Sequence, residues 1–421
     1  MSRRLTVLVH AYACNPRYGS EEGVGWGWVC AIAEHHDLHV MTAAYHEPDI
    51  EAALDADPAL RDRVRFHYVP HRAWHYSPTP VWKRIEASIA KPIMHMAYRS
   101  WQRAAYRYAK ALCESTQFDL VHVITYVGFR FPGKFWKLPM PLVWGPIGGL
   151  ENTPWRYFGV FRPAGWVKYT GRNIINTLHK LLLISPRRAF RKADGGVIAA
   201  TSAIQREIRN WYGIDSVVRC EIGAVGQPDA IETVERADTE PLRIVWSGLH
   251  EDRKALPLLL DALQGLPNSV NWALTVLGSG PLTDAWQSRA EDMGLADRIE
   301  WTGRVDREAA LAKMSSAHVM VVTSVYDLTS TVIVEALCMG LPVICPDHYG
   351  FSDAIDSSCG FTVGTQSLDA ISRGIATALQ RLHDDEARRQ QLASGALERA
   401  RHFSWHETGR LVSSLYESRV R

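Results

Sequence analysis

Ser324–Ser352 reads SVYDLTSTVIVEALCMGLPVICPDHYGFS, and the order of residue types in it decides the fold. Ser330 or Thr331 can cap a helix running from Val332 to Met339, with Gly340 as the stop at its C-terminal end. The strand VICP follows at once, so the stretch reads as helix and strand in close succession. One acid, Asp327, stands just before the helix N-terminus, and a second, Glu335, about one turn inside it. The N–H groups at such a terminus suit a phosphate. A carboxylate one turn deeper can accept two hydroxyls of a vicinal diol such as ribose. Phosphate beside ribose points to a nucleotide.

The same alternation extends through the chain. LTVLVHA opens it, a helical stretch covers about Glu22 to His35, and LHVMTA, VRFHYVP, DLVHVIT, PLVWGP and GGVIAAT read as further strands. A polar helix is predicted over Ser202–Tyr212, and the pattern lapses into a polar, turn-rich linker from Val217 to Pro241. LRIVWSG, WALTVLG, RIEWTG, HVMVVTS, PVICP and FTV then form a second series. Continuous apolar strands alternating with helices imply buried parallel α/β sheets. At 421 residues the chain is too long for one ordinary core, so two Rossmann-like domains facing a central cleft are expected. Their expected limits are 1–225 and 226–395, followed by a charged helical segment, 396–421.

Composition narrows the function classes. A net charge of +2 excludes a strongly polyanionic partner as a global property. The seven cysteines are scattered without a CxxC pair, as expected for buried thiols in a reducing compartment. No apolar stretch approaches the length of a membrane span, and the expected location is cytoplasmic.

Asp327 and Glu335 are separated by seven intervening residues, and this spacing resembles the E-x7-E signature of the retaining GT-B glycosyltransferases of family 4. VEALCMGLPVI is similar to the segment that follows it in that family. The resemblance implies that Asp327 holds hydroxyls of a donor sugar, Glu335 holds the ribose, and the Leu328–Thr329–Ser330 backbone holds a diphosphate. Aspartate replaces the family's first glutamate. WSGLHEDRKALPLLLDAL, Trp246–Leu263, is similar to the family's GRxxxxKG segment, whose cations neutralise the leaving diphosphate. Counting from Gly248, Lys254 takes the lysine position. Leu249 stands at the arginine position, with Arg253 as its candidate substitute.

Further resemblances place the rest of the cleft. LGSGPL, containing Gly278, looks like a GxGP turn, and Arg304 and Val305 fall where the family meets the nucleobase. Gly278 and Gly280 can equally form a simple tight turn. In the first domain, Gly19, Ser20 and Glu21 or Glu22 resemble a GGxE loop, with serine in place of the second glycine. Gly148 and Gly149, in WGPIGGLE, form a glycine loop expected to line the cleft. His122, in DLVHVITY, faces either the cleft or the core. No metal or other cofactor is implied, because a nucleotide diphosphate sugar is the co-substrate and front-face substitution uses no fixed metal.

Trp155–Lys192, WRYFGVFRPAGWVKYTGRNIINTLHKLLLISPRRAFRK, carries nine Arg and Lys residues and no acid. VWKRIEASIAKPIMHMAYRSWQRAAYRYAK is similar, with Glu86 as its one acid. Cations interleaved with aromatic and aliphatic side chains suit an anionic membrane surface. The first domain is therefore expected to be basic and the second acidic. No nucleic-acid motif accompanies the patch. The expected activity is transfer of a sugar to an acceptor hydroxyl, such as that of a lipid-linked saccharide, by a peripheral protein on the inner face of the cell membrane. The alternatives are a sugar phosphorylase or nucleotide-sugar epimerase on the same fold, or a non-catalytic scaffold.

Overall fold

The computed structural model describes residues 3–70, 87–126, 128–224, 233–237 and 239–420. Two wholly parallel sheets carry the chain. The first contains β1 (Thr6–His10), β2 (Asp37–Ala43), β3 (Val64–Val69), β4 (Leu120–Val123), β5 (Leu142–Ile147), β6 (Val197–Ala199) and β7 (Val217–Val218). Their order is β3-β2-β1-β4-β5-β6-β7. The second contains β8 (Leu242–Ser247), β9 (Trp272–Leu277), β10 (Ile299–Gly303), β11 (Val319–Val321), β12 (Val343–Pro346) and β13 (Gly360–Val363), in the order β10-β9-β8-β11-β12-β13. Both are doubly wound: the order reverses beside β1 in one sheet and beside β8 in the other. β-Branched and apolar residues fill these strands because helices cover both faces.

Every strand that the alternation predicts is present, with one addition. Val217–Val218, read from the sequence as the start of the linker, is instead an edge strand paired with Ile198 and Ala199. Two β-branched residues between polar neighbours are too short a run to stand out as a strand. The expected boundary at 225/226 lies outside the described residues, as does the start of the basic segment that contains Glu86.

The chain crosses between the two halves twice more. The final helix, Trp405–Val420, packs on the Ser20–Ala33 helix, and its Val412 and Tyr416 join the first domain's core. The approach is close enough that a methyl group on Gly409 would stand 2.3 Å from the Ala31 carbonyl oxygen. Arg219 braces the turn into this helix, donating to Thr408 Oγ1 at 2.8 Å and to the carbonyls of His402 (2.7 Å) and Ser404 (2.9 Å). The second crossing is not visible in the sequence. Tyr157, Phe158, Phe161 and Tyr169, from the basic aromatic segment, are buried in the second domain's core beside Trp246 and Leu256. Part of that segment is therefore an interdomain clasp and not a free surface. Among the described residues, no helix is long and apolar enough to cross a membrane.

His122 is a core residue. It is fully buried on β4, with Nε2 3.0 Å from the Gly145 carbonyl and Nδ1 2.7 Å from the Tyr416 hydroxyl. A carbonyl only accepts, so Nε2 carries the proton and Nδ1 accepts from Tyr416. Burial lowers the pKa of this imidazole to about 4. It ties the final helix to the first sheet and does not face the cleft, which removes it from the acceptor-side candidates. Tyr416→Phe leaves Nδ1 buried without a donor and should cost about 1–3 kcal/mol, read as a lower Tm. An unchanged Tm would show that this bond does not fasten the helix.

Candidate active site

β8 and β11 are neighbours in the sheet, with Ile244 opposite Val319 and Val245 opposite Met320. They flank the point where strand order reverses, so the loops leaving their carboxyl ends open a crevice between them. The β8 loop is strapped to the β11 loop by main-chain bonds. Thr323 Oγ1 donates to the Lys254 carbonyl (2.6 Å), Val325 N–H donates to the Arg253 carbonyl (2.8 Å), and Trp246 Nε1 donates to Thr323 Oγ1 (2.9 Å). Ala255, in the left-handed region at φ 50°, turns the chain out of the short 3-10 segment Asp252–Lys254. The result is an ion triad: Lys254 Nζ lies 2.6 Å and Arg253 Nη1 3.2 Å from Asp327 Oδ2.

Arg253, the candidate substitute for the arginine absent at Leu249, thus shares Asp327 with Lys254. Leu249 itself is 51% exposed. Burial would push the Asp327 carboxyl up, but the two cations and the Leu328 N–H hold it below the ordinary aspartate value. It stays ionised, and it keeps two positive side chains aimed at one point.

The segment after Asp327 turns its N–H groups toward carboxylates. Leu328 N–H donates to Asp327 Oδ1 (3.1 Å), and Thr329 N–H donates to Glu221 Oε1 (3.3 Å). Ser330 is the N-cap of the Thr331–Cys338 helix but makes no side-chain capping bond. Glu335, on that helix, accepts from Arg307 Nη2 at 2.8 Å, and Arg307 is itself mostly exposed. Three strand-end loops stack beside it, main chain on main chain: Gly248 N–H donates to Leu277, and Gly278 N–H donates to Gly303. Gly278, at φ 113°, is required here, because a side chain would stand 2.1 Å from the Gly248 carbonyl oxygen. Arg304 and Val305 follow β10 on this edge with exposed side chains.

The first domain contributes the facing wall. Gly148 meets the second domain directly, since a methyl group there would lie 2.9 Å from Leu328 Cδ2. Gly149, at φ 80°, packs beside Arg130. Gly19 is the N-cap of the Ser20–Ala33 helix and has open space around it, so crowding does not explain its glycine. Glu21 and Glu22 lie in that helix's first turn. Glu21 is accessible to solvent yet walled in, and this setting together with Glu22 pushes its carboxyl up to about 7.

Several site residues escaped the sequence reading. Burial pushes both Glu221 and Glu151 up to about 8, with Glu207 adding to the effect on Glu151. Arg172 donates to the Tyr326 hydroxyl and lies 3.9 Å over its ring, while its Nη1 is buried without a partner. Glu151 and Glu221 were visible as acids in strand-end loops, but only the tertiary packing that desolvates them marks them out. Asp327 is thus kept charged while the carboxyls of Glu21, Glu151 and Glu221 are raised, the kind of divergence that separates acid and base roles.

Residues 229–398 match the family model for glycosyl transferases group 1. A phosphatidyl-myo-inositol mannosyltransferase of Mycobacterium leprae is 29% identical over 266 residues, which are 55% of this chain and 69% of that protein. A lipopolysaccharide core biosynthesis glycosyltransferase of Rhizobium meliloti is 28% identical, over 40% of this chain and 48% of its own length. Among solved structures, Anabaena HepE in complex with UDP superposes with a TM-score of 0.59 at 15% identity, covering 98% of this chain and 100% of that one. At that identity the likeness shows the fold, which is GT-B.

The triad makes a testable demand on stability. Asp327→Ala leaves Lys254 largely desolvated and without its acidic partner, while Arg253 keeps Glu251 (2.5 Å), and should cost about 3 kcal/mol in urea unfolding. Adding Lys254→Met to it should recover part of that loss, whereas simple additivity of the two substitutions would rule out the coupling.

Proposed function

We propose, from the match of residues 229–398 to the glycosyl transferases group 1 model, that the chain transfers a sugar from a nucleotide diphosphate donor to an acceptor hydroxyl, retaining anomeric configuration. The observation that carries this reading is the Lys254–Asp327–Arg253 triad at the switch point, next to the Leu328–Ser330 main chain. Glu335 lies one turn further along.

In this reading the bond between the anomeric carbon and the diphosphate oxygen breaks through an oxocarbenium-like state. The acceptor oxygen bonds to the same face, and its proton passes to the departing diphosphate. Lys254 and Arg253 stabilise the negative charge that develops on the leaving group, where a preorganised cation lowers the barrier most. Asp327 orients the sugar hydroxyls and holds both cations in place. The diphosphate takes the Thr329 N–H that Glu221 now occupies. Glu335 exchanges its exposed partner Arg307 for the ribose hydroxyls. Gly278, Arg304 and Val305 border the base.

The acceptor side is the wall formed by Gly148, Gly149, Glu21 and Glu151, and the acceptor class is a saccharide carried on a lipid. Its support is the Pro163–Leu182 helix, which leaves Trp166, Val167, Ile174, Ile175, Leu181 and Leu182 exposed among its cations. Such a face suits docking on an anionic membrane surface.

Glu335→Ala and Lys254→Ala should each abolish donor turnover while leaving the circular dichroism spectrum and Tm near those of the parent. Wild-type turnover in both would refute the site assignment. The raised carboxyls predict a pH dependence with a definite sign. Glu21 and Glu221 are neutral below about 7 and 8 respectively and become anions above those values. Affinity for an intact nucleotide sugar, whose diphosphate does not titrate in this range, should therefore fall as pH rises from about 6.5 to 8.5. Glu221→Gln should flatten that profile, and an unchanged slope in calorimetry would exclude Glu221 as its source.

A further inference from the structure

We propose that a second cavity, of about 420 Å³, on the first domain binds the phosphate or diphosphate head of a long-chain lipid that carries the acceptor saccharide. It lies between the Ala87–Ser115 helix, the loop 130–137 and the junction of the Pro163–Leu182 and Ile184–Lys192 helices. This inference rests on the glycosyl transfer reading above and specifies its acceptor.

The charge of the cavity is one-sided. Arg99, Arg103, Arg130, Lys134 and Lys137 line it together with His179, and no carboxylate does. Among the described residues, Arg99, Arg103, Lys134 and Lys137 have no acidic partner. Cations gathered in a concavity without counter-charge repel one another and concentrate the field on an arriving anion. Guanidinium groups add bidentate geometry suited to phosphate oxygens. The rest of the lining includes Phe131, Trp136 and Leu183, so the cavity is not merely a wet charged surface.

Two connections select an amphipathic ligand. Leu183 lies beside Leu181, Leu182 and Ile184, which are 49%, 71% and 64% exposed and give an apolar chain a path out along the helix junction. On the other side, Arg130 spans from the cavity to the catalytic cleft. Its Nε donates to His179 Nδ1 (3.0 Å), and its terminal nitrogens donate to the Asn176 side chain and to the Gly149 carbonyl (3.4 Å). Gly149 adjoins Gly148, which meets Leu328 of the donor loop. A head group in the cavity thus has its lipid on one side and its saccharide directed toward Asp327. Burial, with Arg172 nearby, lowers Arg130 to about 10, as expected for a cation held among cations.

The test is calorimetry of the full chain with farnesyl diphosphate, inorganic diphosphate and farnesol. Farnesyl diphosphate should bind at least about tenfold more tightly than inorganic diphosphate, and farnesol should not bind. Arg103→Ala/Lys137→Ala, at two exposed positions, should weaken farnesyl diphosphate by about tenfold or more. The same variant should bind a nucleoside diphosphate as the parent does. Equal farnesyl diphosphate affinity in parent and variant, or inorganic diphosphate binding as tightly as farnesyl diphosphate, overturns the proposal. A parent that binds nucleoside diphosphate in a Glu335-dependent way but not farnesyl diphosphate sinks the cavity and leaves the donor site standing. The reverse pattern sinks the donor assignment alone.

Discussion

The contact between Asp327 and the two cations Lys254 and Arg253 is the constraint around which the second domain's working edge is arranged. The residues come from loops more than seventy positions apart, and they meet because β8 and β11 are parallel neighbours where the winding direction reverses. Arg253 also pairs with Glu251 of its own loop, but Lys254 and Asp327 depend on the contact between loops. An unpaired aspartate there would take up a proton, and unpaired cations would be expelled toward solvent. Together the cations hold the Asp327 carboxyl below its ordinary value, and the bonds of Thr323 and Val325 to the loop's main chain keep the two loops from drifting apart.

Around that triad the carboxyls are sorted by environment. Asp327 is kept anionic by its partners, while Glu21, Glu151 and Glu221 are pushed toward neutrality by desolvation. In the proposed reading, the site admits a diphosphate more readily because these carboxyls are not all ionised. Placing the raised carboxyls on the first domain and in the connecting segment, opposite the cations of the second, gives each half a different electrostatic character. The Glu221 oxygen at the Thr329 N–H marks where an acceptor oxygen fits.

The two halves are held by exchanged elements and not by the linker alone. The final helix closes onto the first domain through His122 and Tyr416, and the aromatic residues Tyr157 to Tyr169 close into the second. This second exchange divides the basic aromatic segment into roles that its composition does not separate. Tyr157, Phe158, Phe161 and Tyr169 are core, Trp155, Trp166 and the aliphatic residues from Ile174 to Leu182 remain exposed, and of its cations Arg172 packs on Tyr326 while Lys180 pairs with Glu207.

The sequence by itself determined the α/β class, the strands, and the placing of Asp327 just before the helix that carries Glu335. These follow from short-range period and spacing, which local steric and hydrogen-bonding rules enforce. Tertiary structure alone decided that Arg253 joins Lys254 on Asp327, that His122 is buried, and that Val217–Val218 is an edge strand. It also decided that Glu221 and Glu151 are raised acids and that Arg307 pairs with Glu335. Each of these depends on how far a side chain is desolvated and what charge it meets across the fold. Neither quantity is a property of neighbouring residues in the chain.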